Sequence, residues 1–65
     1  MQVKLNGKPL AVNTGACVCD VLENLELPRF FAVEYNKNII YKEDYVKTVL
    51  KEGDELEIAA FCGGG

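Results

Sequence analysis

The sequence has no histidine and no tryptophan. Without histidine, the commonest general base near neutral pH is missing, and so is the imidazole that most often ligates metals. The three cysteines, Cys17, Cys19 and Cys62, form an odd set. They supply too few ligands for a closed zinc site, so no metal and no catalytic residue is expected. Cys17-x-Cys19 also lacks the Cys-x-x-Cys spacing of the common redox motif. No apolar run approaches the ~20 residues of a membrane span. Met1-Gln2-Val3-Lys4-Leu5 alternates instead of opening an apolar signal core. A cytoplasmic address without membrane contact follows, in which the thiols are expected to stay reduced. The seven Lys and Arg are scattered, so no basic stripe is present to neutralise phosphate and no nucleic-acid partner is expected. A net charge of −3 suits a protein partner with a basic dock, and equally suits plain solubility.

What is present is enough for one small domain. A chain of 65 residues buries only ~60% of its unfolded surface, and no staple is evident. The fold must rest on apolar packing, which 49% hydrophobic residues can support.

Val3 and Leu5 alternate with polar neighbours, and so do Leu10 and Val12 after Asn6-Gly7. Asn and Gly tolerate the positive φ that a type I′ turn needs at both centres. The pattern predicts a β-hairpin of residues 2–6 and 8–13, with Pro9 marking an edge strand. Val18, Val21, Leu22 and Leu25 make one apolar stripe at helical spacing and predict a helix over 18–26. Asp20 falls in its first turn, where negative charge suits the helix dipole, and Leu27-Pro28 ends it. Strands are predicted at 30–35 and 39–41, joined by a tight turn at Asn36-Lys37-Asn38. A helical turn at 42–47 points Tyr45 inward. Lys51-Glu52-Gly53-Asp54 is a polar turn, and Leu56, Ile58 and Ala60 alternate in a last strand that runs to Phe61. This order makes an α+β domain over 1–61 with a tail at 62–65. A single main helix covers one face of a mixed four- or five-stranded sheet. Ala11, Ala32, Ala59 and Phe61 are placed on the other face, open to a partner.

Several of these pieces together resemble the ubiquitin-like β-grasp sulfur carriers of the ThiS/MoaD superfamily, most closely the ThiS type of thiamine biosynthesis. They are Asn6-Gly7, Val21-Leu22, Phe31-Ala32-Val33-Glu34-Tyr35-Asn36, Val49 to Ile58, and the diglycine Gly64-Gly65. Two positions depart from the family pattern. Cys17 stands where the helix N-cap is usually Ser or Thr, and Lys37 stands where Gly usually follows the strand-ending Asn.

The resemblance implies a protein co-substrate and no enzyme. The carboxylate of Gly65 is adenylated by an E1-like, ThiF-type enzyme that uses ATP. A sulfur donor protein then leads to a thiocarboxylate, and a ThiG-type thiazole synthase takes the sulfur. No cofactor is bound by the carrier itself. Gly63 and Gly64 thread the tail: extended, the three glycines reach about 10 Å, with no Cβ to crowd the nucleotide. The plain alternative for the tail is a frayed terminus.

Phe61, Cys62, Ala59 and Ala32 are the partner-docking candidates. Phe61 either anchors in a partner pocket or folds back over the sheet edge. Cys62 is read as a small apolar residue before it is read as a nucleophile, because nothing cationic lies nearby. Cys17 and Cys19 are read as structural. Glu52, Asp54, Glu55 and Glu57 form an acidic patch that either is solvated or steers the chain toward basic groups. The competing classes are a carrier for molybdopterin or another sulfur product, a β-grasp binding module with idle glycines, and a small thiol redox protein.

Overall fold

The computed structural model describes residues 1–61. Strands β1 (Gln2–Leu5) and β2 (Lys8–Ala11) are followed by helix α1 (Val18–Glu23). Then come β3 (Phe31–Tyr35), β4 (Asn38–Ile40), helix α2 (Lys42–Tyr45) and β5 (Glu55–Ala60). The five strands form one sheet in the order β2-β1-β5-β3-β4. β1 and β5 are parallel at the centre, and the other pairs are antiparallel. β2 is an edge, as Pro9 predicts.

Both hairpins turn on two residues with positive φ. Asn6 and Gly7 have φ of 51° and 82°, and Asn36 and Lys37 have 49° and 72°. Asn6 does more than turn. Its Oδ1 accepts the Ile58 N–H at 2.8 Å, which carries the β1–β5 ladder one rung past the strand. Lys37 is the costly position, because a Cβ in the left-handed region costs roughly 1–2 kcal/mol. Lys37→Gly is expected to stabilise the protein by about 0.5–1 kcal/mol after the extra freedom of glycine in the unfolded chain is counted. Thermal unfolding followed by circular dichroism checks it.

Val18, Val21 and Leu22 of α1 pack on Val3, Val33, Leu50 and Leu56, and these seven residues are the buried core. α1 is shorter than the stripe predicts. Asn24 and Leu25 donate to Val21 and Leu22 carbonyls three residues back, at 3.2 and 3.1 Å, so the α pattern ends there. The Asn24 side-chain amide takes the Asp20 carbonyl at 3.0 Å and replaces the backbone donor that a longer helix would supply. Leu25 and Leu27 still pack against the core from the following loop.

A thiol accepts hydrogen bonds only weakly, so Cys17 is a poor N-cap, and the third helical residue compensates: Asp20 Oδ2 accepts the Cys17 N–H at 2.9 Å. α2 uses the same device, with Tyr41 N–H on Asp44 Oδ2 at 2.9 Å. Tyr45 is half-buried against the core. Burial, and after it the nearby Glu43, push its hydroxyl pKa up. Among the described residues no helix is long and apolar enough to cross a membrane.

Candidate functional site

Pairing register sorts the sheet into two faces. Val33 lies opposite Ile58 on the helix-covered side, so Ala32 opposite Ala59 and Glu34 opposite Glu57 belong to the open side. Ala11 lies on the open side as well, paired with Gln2. The open face therefore has a floor of small side chains beside a like-charged pair. Directly opposed carboxylates destabilise a sheet slightly, and Lys4, opposite Glu55, stands on the same face.

β5 runs through this face to its end at Ala60. One further backbone bond holds the chain beyond it: Phe61 N–H donates to the Phe30 carbonyl at 3.0 Å. Phe61 and Phe30 are 58% and 55% exposed, so Phe61 does not fold back over the sheet edge. Arg29 lies over the Phe30 ring at 5.5 Å from its centre. The structure thus brings Ala32, Ala59 and Phe61 to one end of the sheet. Cys62, Gly63, Gly64 and Gly65 lie outside the described residues. Phe30 is a member of this end that was not singled out from the sequence. Its parity with Ala32, out of phase with Phe31 and Val33, is the signal that marks it.

The acidic patch needs a correction at one position. Asp54 is only 6% exposed and is a structural hub. Its Oδ2 accepts Tyr35 OH at 2.6 Å and Lys51 N–H at 2.8 Å, and its Oδ1 accepts Asn36 Nδ2 at 3.3 Å. Burial alone pushes the carboxyl up. The hydrogen bonds from Tyr35, Lys51 and Asn36, with the Lys51 charge, outweigh it and hold the carboxyl below its ordinary value. Tyr35 is pushed up to about 12, first by its bond to Asp54, then by burial and the carboxylate charge. Asn36 Oδ1 also accepts Glu55 N–H at 2.9 Å, so the hub sets where β5 begins. Lys51 belongs to the same turn as Asp54, but sequence alone offered no signal for Tyr35 and Asn36, which reach Asp54 only through the β3–β5 pairing.

Cys17 and Cys19 depart from the expectation of separate reduced thiols. Their sulfurs are paired, with Cα atoms 5.4 Å apart. The cause is local: Cys17 is extended before α1 and Cys19 sits in its first turn, so both side chains converge at the helix start. A carboxylate oxygen of Asp20 lies within 4.8 Å of both sulfurs.

The model of the ThiS family matches residues 3–65. The sulfur carrier protein ThiS of Bacillus subtilis is 39% identical over 66 residues, covering 97% of this chain and 98% of its own. A thiazole synthase of Magnetococcus marinus is 36% identical over 66 residues. It covers 100% of this chain, which spans only 20% of the synthase; the same share holds for a thiazole synthase of Paramagnetospirillum magneticum. Among solved structures, the crystal structure of a thiamine biosynthesis protein (ThiS) from Geobacter metallireducens superposes with a TM-score of 0.83. It is 32% identical, with 100% of both chains covered.

Proposed function

The chain belongs to the ThiS family, and on that premise we propose that it is a sulfur carrier of thiamine biosynthesis whose reacting group is the α-carboxylate of Gly65. The chain is then a co-substrate, and Gly65 supplies the reacting carbon. A carboxylate is a poor acyl donor because its leaving group is oxide. A ThiF-type activating enzyme removes that obstacle: the carboxylate oxygen attacks the α-phosphate of ATP, pyrophosphate leaves, and an acyl-adenylate forms. The terminal sulfur of a donor persulfide attacks the acyl carbon, AMP leaves and an acyl disulfide forms. A thiol then attacks the donor's sulfur, so that a new disulfide forms on the donor and the thiocarboxylate leaves. A ThiG-type thiazole synthase takes the sulfur, in a cytoplasmic setting. ATP stays with the activating enzyme, and this chain holds no cofactor.

The family match running through Gly65 is the observation that supports this proposal most directly. The two synthases that match the whole chain within one-fifth of their length support a thiazole synthase as the sulfur acceptor. The end of β5 supports the docking role of Ala32, Ala59 and Phe61, because it roots the tail beside an open, exposed face. The Glu34–Glu57 pair favours a basic dock on the activating enzyme. Phe61→Ala is expected to raise the carrier's KM in the activation reaction about 10-fold or more, as loss of an aromatic anchor does, with kcat little changed. An unchanged KM would remove Phe61 from the docking surface.

The deciding experiment supplies ATP, the activating enzyme and a sulfur donor, and weighs the intact chain. Conversion adds the mass difference between sulfur and oxygen at the C-terminal peptide. No change, with enzymes active on another carrier, overturns the proposal.

A further inference from the structure

The Cys17-x-Cys19 pair has no part in the tail chemistry, and its surroundings are built. Segment 16–18 is tied to segment 48–50 by Val18 N–H on Thr48 O at 2.9 Å and Leu50 N–H on Ala16 O at 2.8 Å. Cys17 itself bridges Val49. The Cα separation of 5.4 Å falls within the ~4.4–6.8 Å that a disulfide needs, so opening and closing the bond requires little backbone movement. Both cysteines are half-buried, within reach of a small solute. Cys17 Sγ lies 3.3 Å from Asp20 Oδ2, which gives its thiol proton a nearby acceptor.

The pair is also remote from the tail root. Segment 48–50 leads into the turn from which β5 starts, whereas the loop after α1 packs beside Ile58 and Ala60 at the other end of β5. α1 therefore separates the thiols from the place where the tail leaves the sheet.

We propose that Cys17 and Cys19 form a thiol–disulfide exchange site that closes by reaction with a low-molecular-weight disulfide and reopens with the corresponding thiol. The Cys19 thiolate attacks one sulfur of the small disulfide, and a mixed disulfide forms as the first small thiolate leaves. Cys17 then gives its proton to Asp20 and attacks Cys19 Sγ, and the second small thiolate leaves and takes up that proton. Two protein thiols are oxidised, and one small disulfide is reduced to two thiols. This chemistry does not depend on the sulfur-carrier proposal, and deleting Gly65 leaves it unchanged.

The test uses the full chain with Cys62→Ser, reduced, desalted and incubated with oxidised glutathione. Intact mass is expected to fall by two hydrogens, with the closed form at least about 10-fold over any glutathione adduct, because an adjacent thiol competes at high effective concentration. Excess reduced glutathione restores the starting mass. Cys17→Ser and Cys19→Ser each stop at a stable glutathione adduct. Asp20→Asn keeps an oxygen for the Cys17 N–H, and it is expected to close more slowly with the mixed disulfide visible on the way; closure at the unaltered rate removes Asp20 from the site. The proposal is overturned if the two-cysteine chain retains adducts in the same yield as the single variants. It is equally overturned if the folded chain stays unreacted under conditions that oxidise the same chain in denaturant.

Discussion

A chain lacking Gly65 is expected to lose thiocarboxylate formation altogether while keeping its fold. The described strands and helices end at Ala60, so the deletion removes no element of the domain. It does move the terminal carboxylate back along the chain by one residue, ~3.3–3.6 Å when extended. Adenylation needs the carboxylate oxygen in line with the α-phosphate, and a misplacement of ~1 Å can lower a rate by ~10²-fold. A shift more than three times larger leaves no productive geometry. Gly65→Ala is a finer probe. It restores the length but adds a Cβ beside the reacting carbon, and it should convert at a rate between those of the full and shortened chains. Intact-mass measurement reads both variants, and circular dichroism checks that the domain is unchanged. Full conversion of the shortened chain would place the reacting carbon elsewhere.

The second large effect lies at the opposite end of β5. Asp54→Ala removes the acceptor for Tyr35 OH, Lys51 N–H and Asn36 Nδ2 at once. Hydrogen bonds to a charged group contribute about 1.5–3 kcal/mol each, and buried donors left unpaired add to the loss. These bonds share one carboxylate and are not additive, so a total of about 2–4 kcal/mol is expected. In a domain of this size that lowers the melting temperature by roughly 10 °C or more.

The pH dependence has two limbs. The folded Asp54 carboxyl lies below its ordinary value, so its contribution is complete above the unfolded carboxylate range and is lost as pH falls through the folded value. The folded Tyr35 hydroxyl is raised from 10.0 to about 12, so its contribution is complete below the unfolded value and is lost as pH rises between the two. Asp54→Ala should flatten the acid limb of the stability curve and shrink the alkaline one, whereas Tyr35→Phe should shrink the alkaline limb to the part carried by the raised Tyr45 hydroxyl and keep part of the acid one. Urea unfolding at a series of pH values separates them. Parallel curves for the parent chain and Asp54→Ala would show that the network carries no pH dependence.

Much of the architecture is legible in short-range pattern. Alternation at Val3, Leu5 and Leu10, the positive-φ pair Asn6-Gly7, and the stripe of Val18, Val21 and Leu22 each act within a few residues. Sequence therefore determines the first hairpin, the helix-covered face and the open face that carries Ala32 and Ala59. The length of α1 was not legible. Leu25 continues the apolar stripe, but Asn24 ends the helix by giving its side-chain amide to the Asp20 carbonyl, and the stripe itself does not record that competition. The Cys17–Cys19 pairing likewise depends on an extended N-cap meeting a first helical turn, which spacing alone does not specify.

Sequence by itself determined the order of strands and helix, through local periodicity, and the family likeness, through residue identity along the chain; that likeness is what makes Gly65 the candidate reacting position. Tertiary structure alone decided that Asp54 is a buried hub and not a surface charge. It also decided that Glu34 faces Glu57 and that Phe30 stands beside Phe61. Each of these relations joins β3, or the residue next to it, to β5 or the turn before it. Partners about twenty to thirty residues apart meet only when the sheet closes, and no local pattern carries information about which strand will lie alongside.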